Sequence, residues 1–278
     1  MSKVKVFNEL LGMEVEIPET PTRVVSLAPS VTDTLYWINA WNKVVGVSYF
    51  CFKPPEARHK PKVGSYFNVN YNLLNELSPD LIIVTTGAQR RLGIELAKKG
   101  YSVYAVGLPV SLYGIIENVN IIGLLVDRVS EARKTATLLI DKLQEIRARY
   151  SGRRLRVYYE VDLGEPITIG SATYIDHALE SIGLENIFRG IRRGYIKPDF
   201  DRVLQEDPDL IVYEPKPFTK PDPDRVIRML ESRRMWFRLR AIRRRHVLVL
   251  EPDSLAHYGP TLFNTLEKIG RRVEEFEK

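Results

Sequence analysis

Residues 130–150 constrain the fold of this chain more than any other stretch. Ala132, Ala136, Leu139, Leu143, Ile146 and Tyr150 are spaced alternately four and three apart, the repeat of one helical face. Ser130 reads as the N-cap with Glu131 in the first turn, Arg147 and Arg149 suit the negative end of the helix dipole, and Gly152 is a stop signal. About twenty residues at roughly 1.5 Å each make a rod of about 30 Å, the width of a small domain. The flanks of this rod resemble each other. Pro79-Asp80-Leu81-Ile82-Ile83 before it is answered by Pro208-Asp209-Leu210-Ile211-Val212 after it. Each follows a short helical run and reads as helix, Pro-Asp turn and buried strand. The expectation is an α/β protein with two Rossmann-like lobes (1–126 and 153–278), their sheets mostly parallel. One long rigid helix (127–152) joins them, and a ligand cleft lies between them. A single stiff helix also predicts only a small closure on ligand binding.

The chain has 278 residues, 44% of them hydrophobic, enough for two lobes with real cores. One cysteine excludes a disulfide framework. The start carries Lys3, Lys5, Glu9, Glu14, Glu16 and Glu19 and has no apolar signal-peptide core. The longest uncharged run, 100–116, contains Gly107, Pro109 and Gly114 and is not a membrane span. The chain therefore reads as soluble: cytoplasmic, or supplied without its export signal or lipid anchor. Net charge is +6, with one local excess: 225–245 holds nine arginines against Glu231. Arg238 to Arg245 has the charge to bind nucleic acid, but no aromatic stacking row or DNA-binding motif accompanies it, so a solvated face is expected and nucleic acid is not.

In order, the pattern predicts a hairpin (4–7, 14–17), a strand at 23–28 and a helix from Ser30 opened by a capping-box-like Ser30-Val31-Thr32-Asp33. Strands at 44–48, 81–84 and 102–106 alternate with helices at 71–77, 90–99 and 112–125. After the long helix come strands at 156–161, 210–214 and 247–251. The helices there are expected at 174–182, 199–206, 224–230 and 260–277.

No catalytic or metal signature is present: no Walker loop, no Gly-x-Gly-x-x-Gly after a strand, no nucleophile elbow and no ligand-spaced histidine pair. No catalytic residue and no metal ligand is expected. Cys51 suits a small buried apolar position, and His177 a structural one. In doubly wound sheets ligands bind beyond the carboxyl ends of strands. The loops expected there hold Tyr49, Phe50, Ser65, Tyr66, Thr86, Ser171, Tyr174, Tyr195, His257 and Tyr258. Such an aromatic, hydroxyl-rich set suits a large, partly apolar ligand with polar edges. Tyrosines at loop bases also serve packing alone. An alternative is a cytoplasmic metal- or cofactor-handling protein or enzyme, with His257, Cys51, Asp253 and Glu214 converging.

Arg23-Val24-Val25-Ser26-Leu27-Ala28-Pro29-Ser30-Val31-Thr32-Asp33 resembles the opening signature of the helical-backbone substrate-binding proteins of ABC importers. So do Val45-Gly46-Val47-Ser48, Pro54-Pro55-Glu56-Ala57, Lys62-Val63-Gly64-Ser65, 77–82 and Gly183-Leu184-Glu185-Asn186-Ile187-Phe188, in order along nearly the whole chain. The resemblance implies two α/β lobes on one long helix and a cobalamin, haem or ferric-siderophore ligand, with the cobalamin branch most similar. It places Tyr49, Phe50, Tyr66 and Tyr195 at aromatic ligand contacts. It implies a non-enzymatic protein with no cofactor of its own, the metal (cobalt or iron) arriving inside the ligand. It further implies an extracytoplasmic location, an ABC permease as partner and a monomer. The family docks through one glutamate on each lobe. Here those positions fall at Asn72, which is not acidic, and at Asp201, with Glu76 one turn beyond Asn72 as a partial substitute.

Overall fold

The computed structural model describes residues 2–277 and divides into two compact units. The first comprises 1–109, 113–140 and 258–260; the second comprises 110–112, 141–257 and 261–278. The boundary at 140/141 falls inside the long helix, so neither unit owns it.

The chain opens with an antiparallel hairpin, β1 (Lys3–Asn8) and β2 (Met13–Pro18). Then follow β3 (Val24–Ser26), α1 (Pro29–Trp37), β4 (Val44–Ser48), β5 (Lys62–Gly64), α2 (Tyr71–Leu77), β6 (Leu81–Thr85), α3 (Arg90–Lys98), β7 (Val103–Val106) and α4 (Leu112–Leu125). The parallel sheet of the first unit has the order β5-β4-β3-β6-β7. Its strands are short and almost fully apolar, as strands covered on both faces must be.

After α5 (Val129–Arg149) come β8 (Leu155–Asp162), β9 (Pro166–Ile169), α6 (Tyr174–Ser181), β10 (Leu184–Asn186), β11 (Tyr195–Ile196), α7 (Phe200–Glu206) and β12 (Leu210–Glu214). The chain ends with α8 (Pro223–Glu231), α9 (Arg240–Arg243), β13 (Val247–Val249) and α10 (Thr261–Val273). Here the parallel core order is β10-β8-β12-β13, with β9 antiparallel beside β8 and β11 antiparallel beside β9. Strands β5, β9, β10 and β11 were not expected.

The repeat around the Pro-Asp turns holds at atomic level. Asn70 caps α2 by accepting from the Leu73 amide, and Asp199 caps α7 by accepting from the Arg202 amide. Both helices end on a left-handed residue, Ser78 (φ 42°) and Asp207 (φ 40°), just before the proline. The aspartate that follows then seals the start of the central strand. Asp80 accepts from the Thr22 and Arg23 amides at 2.7 and 2.9 Å, and Asp209 accepts from the Arg156 amide at 2.9 Å. The arginine at each strand start completes the pattern: Arg23 donates to the Leu77 carbonyl and Arg156 to the Glu206 carbonyl, each at 2.6 Å. Thus the Pro-Asp pairs recur because a helix end must be stopped and a buried strand's first amides satisfied.

On α5, all six residues of the expected face are buried. Its start differs from expectation. The first helical bond runs from the Ala132 amide to the Arg128 carbonyl at 2.9 Å, so Ser130 lies inside the helix and does not cap it. The cause is a tight corner after α4: Asp127 adopts φ 54°, the Arg128 amide bonds the Gly123 carbonyl, and a Cβ on Gly123 would lie 2.2 Å from that of Ala132. Likewise α1 starts at Pro29 with Ala28 as its cap and no side-chain cap bond. Proline at the first position needs no amide partner, so Ser30 is not the capping residue.

Candidate functional site

In the first unit the loops after β4 and β5 bring two aromatic rings together. Phe50 and Tyr66 stack with centroids 4.6 Å apart and planes 16° from parallel. Tyr49 and Phe67 beside them are 57% and 74% exposed. The tip carrying Tyr66 is closed by backbone: the Ser65 amide donates to the Asn68 carbonyl at 2.9 Å, and Gly64 bridges Val69. A Cβ on Gly64 would lie 2.2 Å from the Asn68 carbonyl oxygen, so this turn needs glycine. The Ser65 hydroxyl donates to the Asn68 side chain at 3.0 Å, and the Thr86 hydroxyl accepts from the Leu108 amide at 2.8 Å. Tyr258 meets Thr85 through their hydroxyls at 3.1 Å.

Beneath these loops lies a residue that the sequence pattern did not single out. Gln89 is buried; it accepts from the Thr85 amide and donates to the Leu27 carbonyl at 2.6 Å, tying the ends of β3 and β6. Ser26 is fully buried as well: its hydroxyl lies 2.7 Å from that of Thr32, which lies 3.0 Å from the Cys51 sulfur. Burial pushes the Cys51 thiol up, which keeps it protonated and unreactive.

In the second unit the expected set separates. Tyr195 is 39% exposed on the edge strand β11. The Ser171 hydroxyl donates to the Ile191 carbonyl at 3.2 Å, half-buried. Tyr174 is 1% exposed: Thr173 caps α6 by accepting from the Asp176 amide, and that start turns Tyr174 into the core. His257 is also buried, its Nδ1 3.2 Å from the Asp253 carboxylate.

The strand-end premise fails for Ser171 and Tyr174. A turn at Asp162-Leu163-Gly164, with Gly164 at φ 100°, sends β9 back along β8. The Asn186 side-chain amide reaches the Ile169 carbonyl at 3.0 Å, and Asn186 pairs with Val157. Residues 170–174 therefore lie back toward the amino-terminal half of β8. The Asp-x-Gly turn was the available signal.

Glu214 and Glu160 are the most deeply buried acids described in the second unit. Glu214, at the end of β12, accepts from the amides of Ser254, Leu255 and Ala256 at 2.8–3.1 Å and from the Tyr159 hydroxyl at 2.9 Å. Burial pushes its carboxyl up to about 7, with the Ala256 and Leu255 amides and the Tyr159 hydroxyl opposing the rise. Glu160 holds Arg233 in a bidentate pair at 2.7 and 2.6 Å, and the guanidinium lies over Phe200 and Trp236. Of the residues named for the alternative reading, His257, Asp253 and Glu214 belong to the second unit, with His257 Nδ1 beside Asp253 and Asp253 beside Glu214, and Cys51 belongs to the first. Among the described residues no three His, Cys, Asp or Glu are placed to hold a metal. Asn72, Glu76 and Asp201 are exposed, with Asn72 and Asp201 at matching positions of the capped helices α2 and α7.

The chain thus has a mostly parallel α/β sheet on each side of one long helix, with aromatic loops at strand ends in the first unit. A family model described as periplasmic binding protein matches residues 24–254, and the chain belongs to that family. A cobalamin-binding protein of Halobacterium salinarum is 28% identical over 205 residues, 71% of this chain and 55% of that relative. The chain thus matches about half the length of that protein. A vitamin B12-binding protein of Vibrio parahaemolyticus is 23% identical across 100% of this chain and 99% of its own. Among solved structures, a periplasmic vitamin B12 binding protein of Vibrio cholerae shares the fold with TM-score 0.76 at 23% identity, covering 94% of this chain and 100% of that one. A periplasmic heme binding protein of Pseudomonas aeruginosa does so with TM-score 0.78 at 21% identity, covering 91% and 92%. Among the described residues no helix is long and apolar enough to cross a membrane.

Proposed function

We propose that this chain is the substrate-binding protein of an ABC-type importer for a corrinoid such as cobalamin, or for another metal chelate of the haem or ferric-siderophore kind. The observation that carries this is the stacked Phe50–Tyr66 pair on loops at the ends of β4 and β5, flanked by exposed Tyr49 and Phe67. Flat, preordered aromatic surface binds a macrocycle at little entropic cost. Ser65, Thr86 and Tyr258 offer hydroxyls on the same unit, and Tyr195 offers an exposed ring on the second; Ser171, turned back along β8, is left out of the contact set. Tyr174 and His257 act as supports beneath the surface, since both are buried. The metal arrives inside the ligand, so the protein needs no cofactor and performs no catalysis. It acts as an extracytoplasmic monomer. It meets its permease through Asp201 on α7 and Glu76 on α2, with Asn72 making the contact asymmetric and weak.

Titration with cobalamin, haem and a ferric catecholate, followed by quenching of Trp37, Trp41 and Trp236, tests the proposal. One of the three is expected to bind at micromolar or lower concentration. Failure of all three below about 1 mM, where binding energy is only about 4 kcal/mol, refutes it.

A further inference from the structure

The arginines of 225–245 fall into two groups. Arg233 pairs with Glu160, Arg240 with Asp207 and Asp209, and Arg245 with Asp224. Arg225, Arg228, Arg234, Arg238, Arg243 and Arg244 are exposed and have no carboxylate partner among the described residues. Two of these stand at a 3₁₀ turn, Trp236–Arg238: Arg234 precedes it and Arg238 ends it. At this turn Met235 and Phe237 are 37% and 59% exposed.

The turn is rigid from below. Trp236 is fully buried, edge-on to Phe200 at 5.3 Å and to Tyr158 at 5.6 Å, with the Arg233 guanidinium 4.6 Å from its ring. Met235 takes φ 66°, a conformation a methionine adopts only when its surroundings impose it. The buried indole therefore fixes a knuckle that holds a thioether and a phenyl ring outward between two uncompensated guanidinium groups. Met235 and Arg238 also line a surface groove with Leu204, Asp207 and Leu239 against the last turn of α7.

Single exposed apolar residues are ordinary, and so are single arginines. Their combination on a fixed knuckle matches one surface chemistry. Guanidinium groups pair with phosphate diesters, while phenyl and thioether groups enter the boundary between headgroups and acyl chains. We propose that the Arg234–Arg238 knuckle is a contact surface for an anionic lipid bilayer. One exposed ring, with no row of aromatics along a groove, does not make a single-strand nucleic-acid track. Through Phe200 the knuckle packs on α7, the helix that carries Asp201, so a permease bound at Asp201 would lie beside lipid that the knuckle could reach. The inference does not depend on which chelate is bound, nor on docking.

The test is sedimentation of the full chain with vesicles of equal parts phosphatidylglycerol and phosphatidylcholine, against phosphatidylcholine alone. The chain is expected to sediment with the anionic vesicles only. Arg234→Glu/Arg238→Glu is expected to lower partitioning about 25-fold or more, each arginine near an anionic surface counting about fivefold. Phe237→Ser is expected to weaken it further, including at high salt, where the charge contribution is screened. Melting curves establish that each variant is folded. The proposal is overturned if anionic vesicles do not retain the chain, or if Arg225→Glu/Arg228→Glu on α8 weakens retention as much as the knuckle pair, since net charge alone would then explain binding. It is also overturned if oligothymidylate binds more tightly than vesicles and is lost with the same knuckle variants, which would assign the surface to nucleic acid.

Discussion

Glu214→Gln tests how the strand-end loop of the second unit is held. The carboxylate sits at the end of β12 and gathers three consecutive amides, 254–256, together with the Tyr159 hydroxyl. Burial raises the carboxyl from 4.5 to about 7, and Asp253 is the charged neighbour that adds to the rise. Between those values the folded protein holds a proton that the unfolded chain has released. Stability from this group is therefore full below pH 4.5 and is lost as pH rises through 7. The interval from 4.5 to about 7, at roughly 1.4 kcal/mol for each pH unit, gives about 3 kcal/mol. A glutamine at this position keeps the shape and one acceptor but cannot titrate. Urea unfolding of both proteins across this pH range should show the wild-type advantage over Glu214→Gln shrinking by about 3 kcal/mol from acid to neutral pH. A stability difference that stays flat with pH refutes the reasoning.

Arg233→Met leaves the fully buried Glu160 without its charged partner, the Tyr158 hydroxyl still donating to it, and should cost about 3–5 kcal/mol, whereas Glu160→Gln/Arg233→Met should recover much of that in a double-mutant cycle. Gly270→Ala places a Cβ 2.5 Å from the Tyr150 ring and should destabilise by about 1–3 kcal/mol in the same unfolding assay. Asp201→Lys should abolish association with the cognate permease, Glu76→Lys should weaken it and Asn72→Glu should strengthen it, read by stimulated ATPase. No change for Asp201→Lys removes this surface from the docking account.

The long helix and the doubled Pro-Asp turn were legible because each rests on local chemistry. The first is a spacing of apolar residues; the second is a stop signal followed by an amide-sealing carboxylate. The Phe50 loop was legible because it follows a short apolar strand, whereas the three-residue β5 before the Tyr66 loop gave no such signal and 63–70 read as loop throughout. Three kinds of feature were not. Strands β9, β10 and β11 span four, three and two residues, too short for a period to register. Without β9 and its antiparallel run beside β8, Ser171 and Tyr174 were placed at the wrong end of the sheet. Helix starts at 129 and 29 were set by a tight corner and a proline, which outweighed the Ser130 and Ser30 cap signals. Partners far apart in sequence, such as Glu160 with Arg233 and Gln89 with Leu27, carry no local pattern at all.

The central claim is that the Phe50–Tyr66 stack is the aromatic floor of a chelate site. Isothermal titration of the three chelates into the wild type and into Tyr66→Ala tests it directly. The account predicts one-to-one binding of at least one chelate, weakened roughly 5- to 30-fold by loss of the ring, worth about 1–2 kcal/mol. Equal affinity in the wild type and Tyr66→Ala for the chelate that binds, with both proteins folded, would contradict it.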